Sequence, residues 1–120
     1  MSDKTVRPED LLPLTPAVFH ILLSLSDGES HGYGIMKEIA ERTNDELRVG
    51  PGTLYTAIKR LLESGCIEEA DEGSDPALDN ERRKYYRITK FGKEVAQLEV
   101  RRLERLLQAA HQKGLVQKGI

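Results

Sequence analysis

The 120-residue chain is poor in the side chains that build redox, metal and stacking chemistry: it has one cysteine, no tryptophan and only 5% aromatics. A lone Cys66 excludes an intrachain disulfide, and His20, His31 and His111 stand too far apart to give metal-ligand spacing. No apolar run approaches the ~20 residues of a membrane span, and residues 1–8 show neither a secretion-signal core nor an Arg-rich transit pattern, so a soluble, cytoplasmic protein is expected. No Ser/His/Asp set, paired carboxylates or phosphate-cradling glycine loop stands out, so neither an enzyme nor a cofactor is expected. An excess of positive charge is also lacking, with 18 Lys plus Arg against 20 Asp plus Glu and a net charge of −2. As a total, that balance argues against a nucleic-acid partner, because such domains are usually basic.

What is present fits one compact domain with an additional element. Residues 1–13 are polar and punctuated by Pro8 and Pro13, which predicts a mostly disordered arm with Leu11 and Leu12 docked. Thr15-Pro16 is an N-cap followed by proline at the first helical position, so a first helix is predicted to about Leu25. A second helix, capped by Ser30 or His31, runs to about Thr43 with Tyr33, Met36, Ile39 and Ala40 inside. Gly50-Pro51 starts a third helix that stops at Gly65, where glycine suits a left-handed cap. Its residues Leu54, Ile58, Leu61 and Leu62 share one face, leaving Gly52, Thr56, Lys59 and Glu63 opposite, flanked by Thr53, Arg60 and Tyr55. Residues 66–70 and 84–88 read as the strands of a hairpin with a long tip. Thr89 caps a last helix to about Lys113, too long for its apolar stripe to be covered by the rest of the chain, so a second copy is expected against it. Phe19, Val95, Leu98, Leu103, Leu106, Leu107 and Ala110 are the candidate dimerisation residues.

The fold class is therefore mainly α with a small β-hairpin. The order helix, helix, helix, hairpin, helix is that of a winged helix-turn-helix (residues 14–88) after an arm (1–13) and before a C-terminal dimerisation helix and tail (89–120). Split by segment, the charge changes meaning. No acid lies between Arg48 and Glu63, and none among residues 82–93, whereas Glu68, Glu69, Asp71, Glu72, Asp75, Asp79 and Glu81 crowd the outgoing strand and tip. The third helix thus offers a DNA-reading surface of Gly52, Thr53, Tyr55, Thr56, Lys59 and Arg60, with His31 and Tyr33 as phosphate contacts from the second helix. Tyr33 fits half-core packing as well. Tyr55 is expected to pack its ring while turning its hydroxyl toward a phosphate. On the returning strand Arg82, Arg83 and Lys84 either anchor phosphates or neutralise the acidic strand opposite.

The segments His31-Gly32-Tyr33-Gly34-Ile35, Gly52-Thr53-Leu54-Tyr55 and Arg83-Lys84-Tyr85-Tyr86-Arg87-Ile88-Thr89, followed by Gly92, resemble the PadR family of bacterial transcriptional regulators over residues 14–95. The resemblance implies a winged-helix repressor that acts as a homodimer on an inverted repeat, joined through its C-terminal helix as in the short-tailed subgroup. Two positions depart from the family pattern: Cys66 stands where leucine is usual, and the wing tip is acidic. The resemblance also implies a small-molecule effector in many members, but the sequence names none here. Cys66, in a leucine position, is read as buried rather than as a redox sensor. The runner-up reading is a winged-helix module that docks a protein instead of DNA, which would lack a steep salt dependence.

Overall fold

A computed structural model describes residues 6–70 and 84–117 of the chain. Helix α1 (Pro16–Leu25) opens as its sequence dictates: Thr15 Oγ1 accepts the Val18 N–H at 3.2 Å and Pro16 takes the first position. Strand β1 (Ser30–His31) leads into α2 (Gly32–Arg42), which is capped by His31 Nδ1 accepting the Gly34 N–H at 2.9 Å. Helix α3 (Pro51–Ser64) ends on Gly65, whose φ of 83° is the left-handed conformation that glycine adopts without strain. Strands β2 (Ile67–Ala70) and β3 (Tyr85–Ile88) precede α4 (Lys90–Gln112), which starts at Thr89.

The hairpin expected from sequence is the larger part of a three-stranded antiparallel sheet in the order β1-β3-β2. Ile67 pairs with Ile88 and Ala70 with Tyr85 on one side of β3, and Ser30 pairs with Tyr86 and His31 with Tyr85 on the other. Two residues are too few to show alternation, so β1 had no readable signature. Four helices and the sheet close one core around Ile21, Leu22, Leu25, Ile35, Ile39, Leu54, Ile58, Leu61, Ile67 and Val95, all but a few per cent covered. Within α2 the inward residues are Ile35 and Ile39, and Tyr33 is 67% exposed, correcting its placement inside. Two residues of helix turn a side chain by about 200°, so Tyr33 and Ile35 cannot share a face.

The junction between sheet and α4 depends on close backbone approach. A Cβ on Gly92 would collide with the Cys66 carbonyl, so only glycine lets the first turn of α4 sit there. Thr89 locks the same corner: its N–H donates to the Cys66 carbonyl at 2.9 Å, its hydroxyl donates to the Gly65 carbonyl at 2.5 Å, and that hydroxyl oxygen accepts the Gly92 N–H at 3.0 Å.

The described part of the N-terminal segment, from residue 6, is ordered where a mostly disordered arm was expected, and Leu11 and Leu12 dock as expected. Pro8–Leu11 forms a 3-10 turn against α4, and Leu11, Leu12 and Leu14 pack on the core. Three leucines among charged and proline neighbours form no periodic pattern, yet their burial outweighs the ordering cost of so short a segment. Glu99 of α4 joins in, a carboxylate with its side chain 3% exposed. Its oxygens accept two bonds from the Arg102 guanidinium at 2.7 and 2.8 Å and one from the Leu14 N–H at 3.4 Å. The Arg102 bonds hold its carboxyl below the usual range against the opposing effect of burial. Among the described residues no helix is long and apolar enough to cross a membrane.

Candidate nucleic-acid interface

Helix α3 divides cleanly by face. Leu54, Ala57, Ile58 and Leu61 are buried, while Pro51, Gly52, Thr53, Tyr55, Thr56, Lys59 and Arg60 are exposed. The exposed set contains six of the predicted DNA-reading residues on one contiguous surface. Lys59 and Arg60 make no ion pair with any described residue, and just before the helix Arg48 meets only the exposed Asp45 at 3.4 Å.

The N-terminus of α3 is also chemically different from the other three. Side chains of Thr15, His31 and Thr89 cap α1, α2 and α4, whereas Gly50 gives α3 no side-chain cap. Pro51 has no N–H and the Leu54 N–H bonds the Gly50 carbonyl at 2.9 Å, so the Gly52 and Thr53 N–H groups are the orphan donors of the first turn. They carry the positive end of the helix dipole. Gly50 and Gly52 have negative-φ or helical backbone and a Cβ at either would meet nothing within 4 Å, so the chain's own packing does not demand glycine there. Gly32 is the opposite case: a Cβ there would collide with the Tyr55 hydroxyl. Tyr55 therefore seats its hydroxyl beside the start of α2 while remaining 38% exposed, the packing half of the role expected of it. The contact joins two of the sequence segments noted above and fixes α2 against α3.

The remaining predicted contacts separate. Tyr33 projects from α2 into solvent. His31 is half-buried, its Nδ1 engaged in capping and its ring edge-on to Tyr85 at 5.1 Å. Lys84 donates to Glu69 at 3.3 Å and Arg87 to Glu68 at 2.7 Å, the cross-strand neutralisation that was one of the two readings of this strand. Arg87 also reaches Glu29 at 3.5 Å. Arg82, Arg83 and the acidic tip lie outside the described residues. Among the described residues no group of histidine, cysteine or carboxylate side chains could hold a metal. Cys66 is fully buried, and burial pushes its thiol up against the smaller opposing effect of the Ser64 hydroxyl 3.3 Å from its sulfur, which suppresses the reactive thiolate.

The second exposed surface is the C-terminal half of α4. Val100, Leu103, Leu106 and Leu107 are 41%, 39%, 54% and 54% exposed. At 100° per residue they share, with Ala110, the face that Gly92, Ala96 and Glu99 turn into the domain earlier in the same helix. Val100 belongs to this stripe and was missed because the sequence offers no mark of where the domain ends. Two candidate dimerisation residues are corrected. Val95 is fully buried in the chain's own core, and Leu98 lies on another face beside Pro8 and Glu9. Phe19 of α1 is half-buried.

Comparison with known proteins agrees with this architecture. The sequence model described as "Transcriptional regulator PadR-like family" matches residues 21–98. Transcriptional regulator Rv3488 of Mycobacterium tuberculosis is 32% identical over 87 residues, covering 72% of this chain and 75% of that protein. The chain spans 64% and 22% of the length of two other curated relatives that it matches. A transcriptional regulator from Clostridium thermocellum superposes with a TM-score of 0.69 at 29% identity, over 80% of this chain and 87% of that one. A PadR family transcription regulator from Clostridium difficile gives 0.68 at 26% identity, over 82% and 97%.

Proposed function

The chain belongs to the PadR-like family of transcriptional regulators, and from that premise we propose that it is a homodimeric repressor that reads duplex DNA with α3. The observation that carries this reading is the N-terminal half of α3: orphan N–H donors, two glycines open to close approach, neutral hydroxyls and cations that pair with no described residue, on one face without an acid. A major groove about 12 Å wide admits such a helix. The Gly52 and Thr53 N–H groups, Lys59, Arg60 and Tyr33 meet phosphates and set the register, while Thr53 and Thr56 reach base edges. The protein acts by occupying a promoter, without catalysis.

The apolar stripe on α4 supplies the dimer. Two copies of α4 bury Leu103, Leu106, Leu107 and Ala110 against each other around a two-fold axis, which places two α3 helices on successive half-sites. The DNA then carries an inverted repeat with half-site centres about 34 Å apart or a multiple of that. Footprinting on the DNA upstream of its own gene tests the reading: two protected, symmetry-related patches are expected, and an unprotected or unsymmetrical region would refute it. Leu106→Asp probes the seam with little risk to the fold, since Leu106 is more than half exposed in the monomer. Sedimentation is expected to show a folded monomer that no longer protects the site. A Leu106→Asp dimer would place the interface elsewhere.

A further inference from the structure

A concavity of about 360 Å3 lies between α2 and the turn that leads into α3. Half-buried Met36 and Ala40 with buried Val49 make its apolar floor, and the exposed Tyr33, Lys37 and Arg48 stand around it. Tyr33, Met36, Lys37 and Ala40 recur at spacings of three and four, which puts all of them on one face of α2. Lys37 makes no ion pair with any described residue. Arg48 meets Asp45 at 3.4 Å, with the two side chains 75% and 62% exposed. The turn that carries Asp45 has an uncommon shape: Asn44 and Asp45 have φ of 52° and 64°, a left-handed conformation that these two residue types tolerate best among side chains with a Cβ. Thr43 holds them there, its hydroxyl oxygen accepting the Leu47 N–H at 3.1 Å and its hydroxyl donating to the Ile39 carbonyl at 2.9 Å. The Asp45 N–H donates to the Ala40 carbonyl at 2.8 Å. Unlike the cross-strand pairs of the hairpin, the pair of Asp45 with Arg48 joins no two elements, and its exposure leaves it little to add to stability.

We propose that Tyr33, Lys37 and Arg48 form a second phosphate site beside the reading helix, and that Asp45 occupies Arg48 until a DNA phosphate displaces it. Arg48 stands two residues before Gly50, so a strand with one phosphate on the Gly52 and Thr53 N–H groups continues into this concavity. Its deoxyribose covers the floor of Met36 and Ala40, and its neighbouring phosphates take the Lys37 ammonium and the Arg48 guanidinium. Phosphate contacts carry no sequence information, so Asp45 lowers affinity for every duplex alike and leaves discrimination to the side chains that reach base edges. The site rests on the DNA reading above, which it extends from α3 to α2 and the turn between them.

The test is a fluorescence-anisotropy titration of the full-length chain with its upstream duplex and with a random-sequence duplex, at several salt concentrations. Lys37→Ala and Arg48→Ala, both changes at exposed positions, should each weaken the two duplexes alike by about fivefold and flatten the salt slope by about 1.8, one phosphate per copy of a dimer. Asp45→Asn keeps a residue that tolerates the left-handed backbone and removes only the charge. It should tighten both duplexes about threefold with the unfolding midpoint unchanged. With Arg48→Ala already in place, most of that gain should disappear. Parent-like affinity in both cation variants would overturn the site. A gain from Asp45→Asn that is equally large without Arg48 would overturn the hold of Asp45 on Arg48. Either failure, in a protein that binds duplex and loses it on Lys59→Ala with Arg60→Ala, would leave the reading by α3 standing, whereas a parent protein that binds neither duplex would sink both.

Discussion

Helix α3 and the β2–β3 hairpin are neighbours with similar densities of cations, and they use them differently. The described hairpin cations are answered from within the chain, Lys84 by Glu69 and Arg87 by Glu68 and Glu29. Those of α3 meet no acid among the described residues: Lys59 and Arg60 stand on an exposed face with no carboxylate among residues 49–62. Glycine divides the same way. Gly92, at the corner where the hairpin meets α4, is held by a backbone carbonyl against its Cα, whereas Gly50 and Gly52 border open space. Internal satisfaction marks structure, and its absence on an ordered helix marks the place where a partner completes the chemistry. Net charge conceals this difference, because acids elsewhere in the sequence, Asp71, Glu72, Asp75, Asp79 and Glu81 among them, cancel the cations of α3 in the sum.

Three substitutions and one pair of substitutions sharpen the contrast. Gly92→Val attacks the structural side and has the largest expected effect. The new side chain cannot coexist with the Cys66 carbonyl, so stability falls by about 3 kcal/mol or more in urea unfolding. A Gly92→Val protein as stable as the parent would show that the corner is not built as described. Lys59→Ala with Arg60→Ala attacks the binding side. Affinity for the upstream duplex should fall about 100-fold or more near physiological salt, as four charge-assisted contacts per dimer vanish, with unfolding midpoints unchanged. If stability drops instead of affinity, the two residues belong to the fold. Thr56→Ala should cost roughly fivefold for the preferred site and nothing for random duplex, the signature of one lost hydrogen bond to a base edge. Equal losses on both duplexes would assign Thr56 to phosphate. The smallest effect is expected from Lys84→Ala, with DNA affinity within about twofold and stability within about 0.5 kcal/mol, because its pair with Glu69 is exposed. A tenfold loss of DNA affinity would move the hairpin to the binding side of the comparison.

The legibility of these regions in sequence follows the same division. Helix α3 was readable because its start, its left-handed stop and its two faces are all local properties of residues 50–65. The pairing of Lys84 with Glu69 depends on strand register, and register is set by β1 and β2 closing on β3 across long stretches of chain. Sequence could show both charges but not that they meet. The Tyr55 hydroxyl on Gly32 is a contact between two helices whose crossing no single segment encodes. On α4 the 3.6-residue period correctly marked an apolar stripe, yet periodicity is blind to what covers it, so Val95 of the chain's own core and Leu106 of the exposed half looked equivalent. Glu99 reads as one more surface charge of a polar helix, and its burial follows only from the N-terminal segment folding over α4.

The central claim is that α3 meets phosphates, and the salt dependence of binding to the upstream duplex tests it most directly. With Lys59 and Arg60 from two copies engaging at least four phosphates, the plot of log affinity against log salt should fall with a slope of about −3.6 or steeper, and Lys59→Ala with Arg60→Ala should remove about that much of it. A flat response, with the double variant indistinguishable from the parent, would mean that the open face of α3 is completed by something other than DNA.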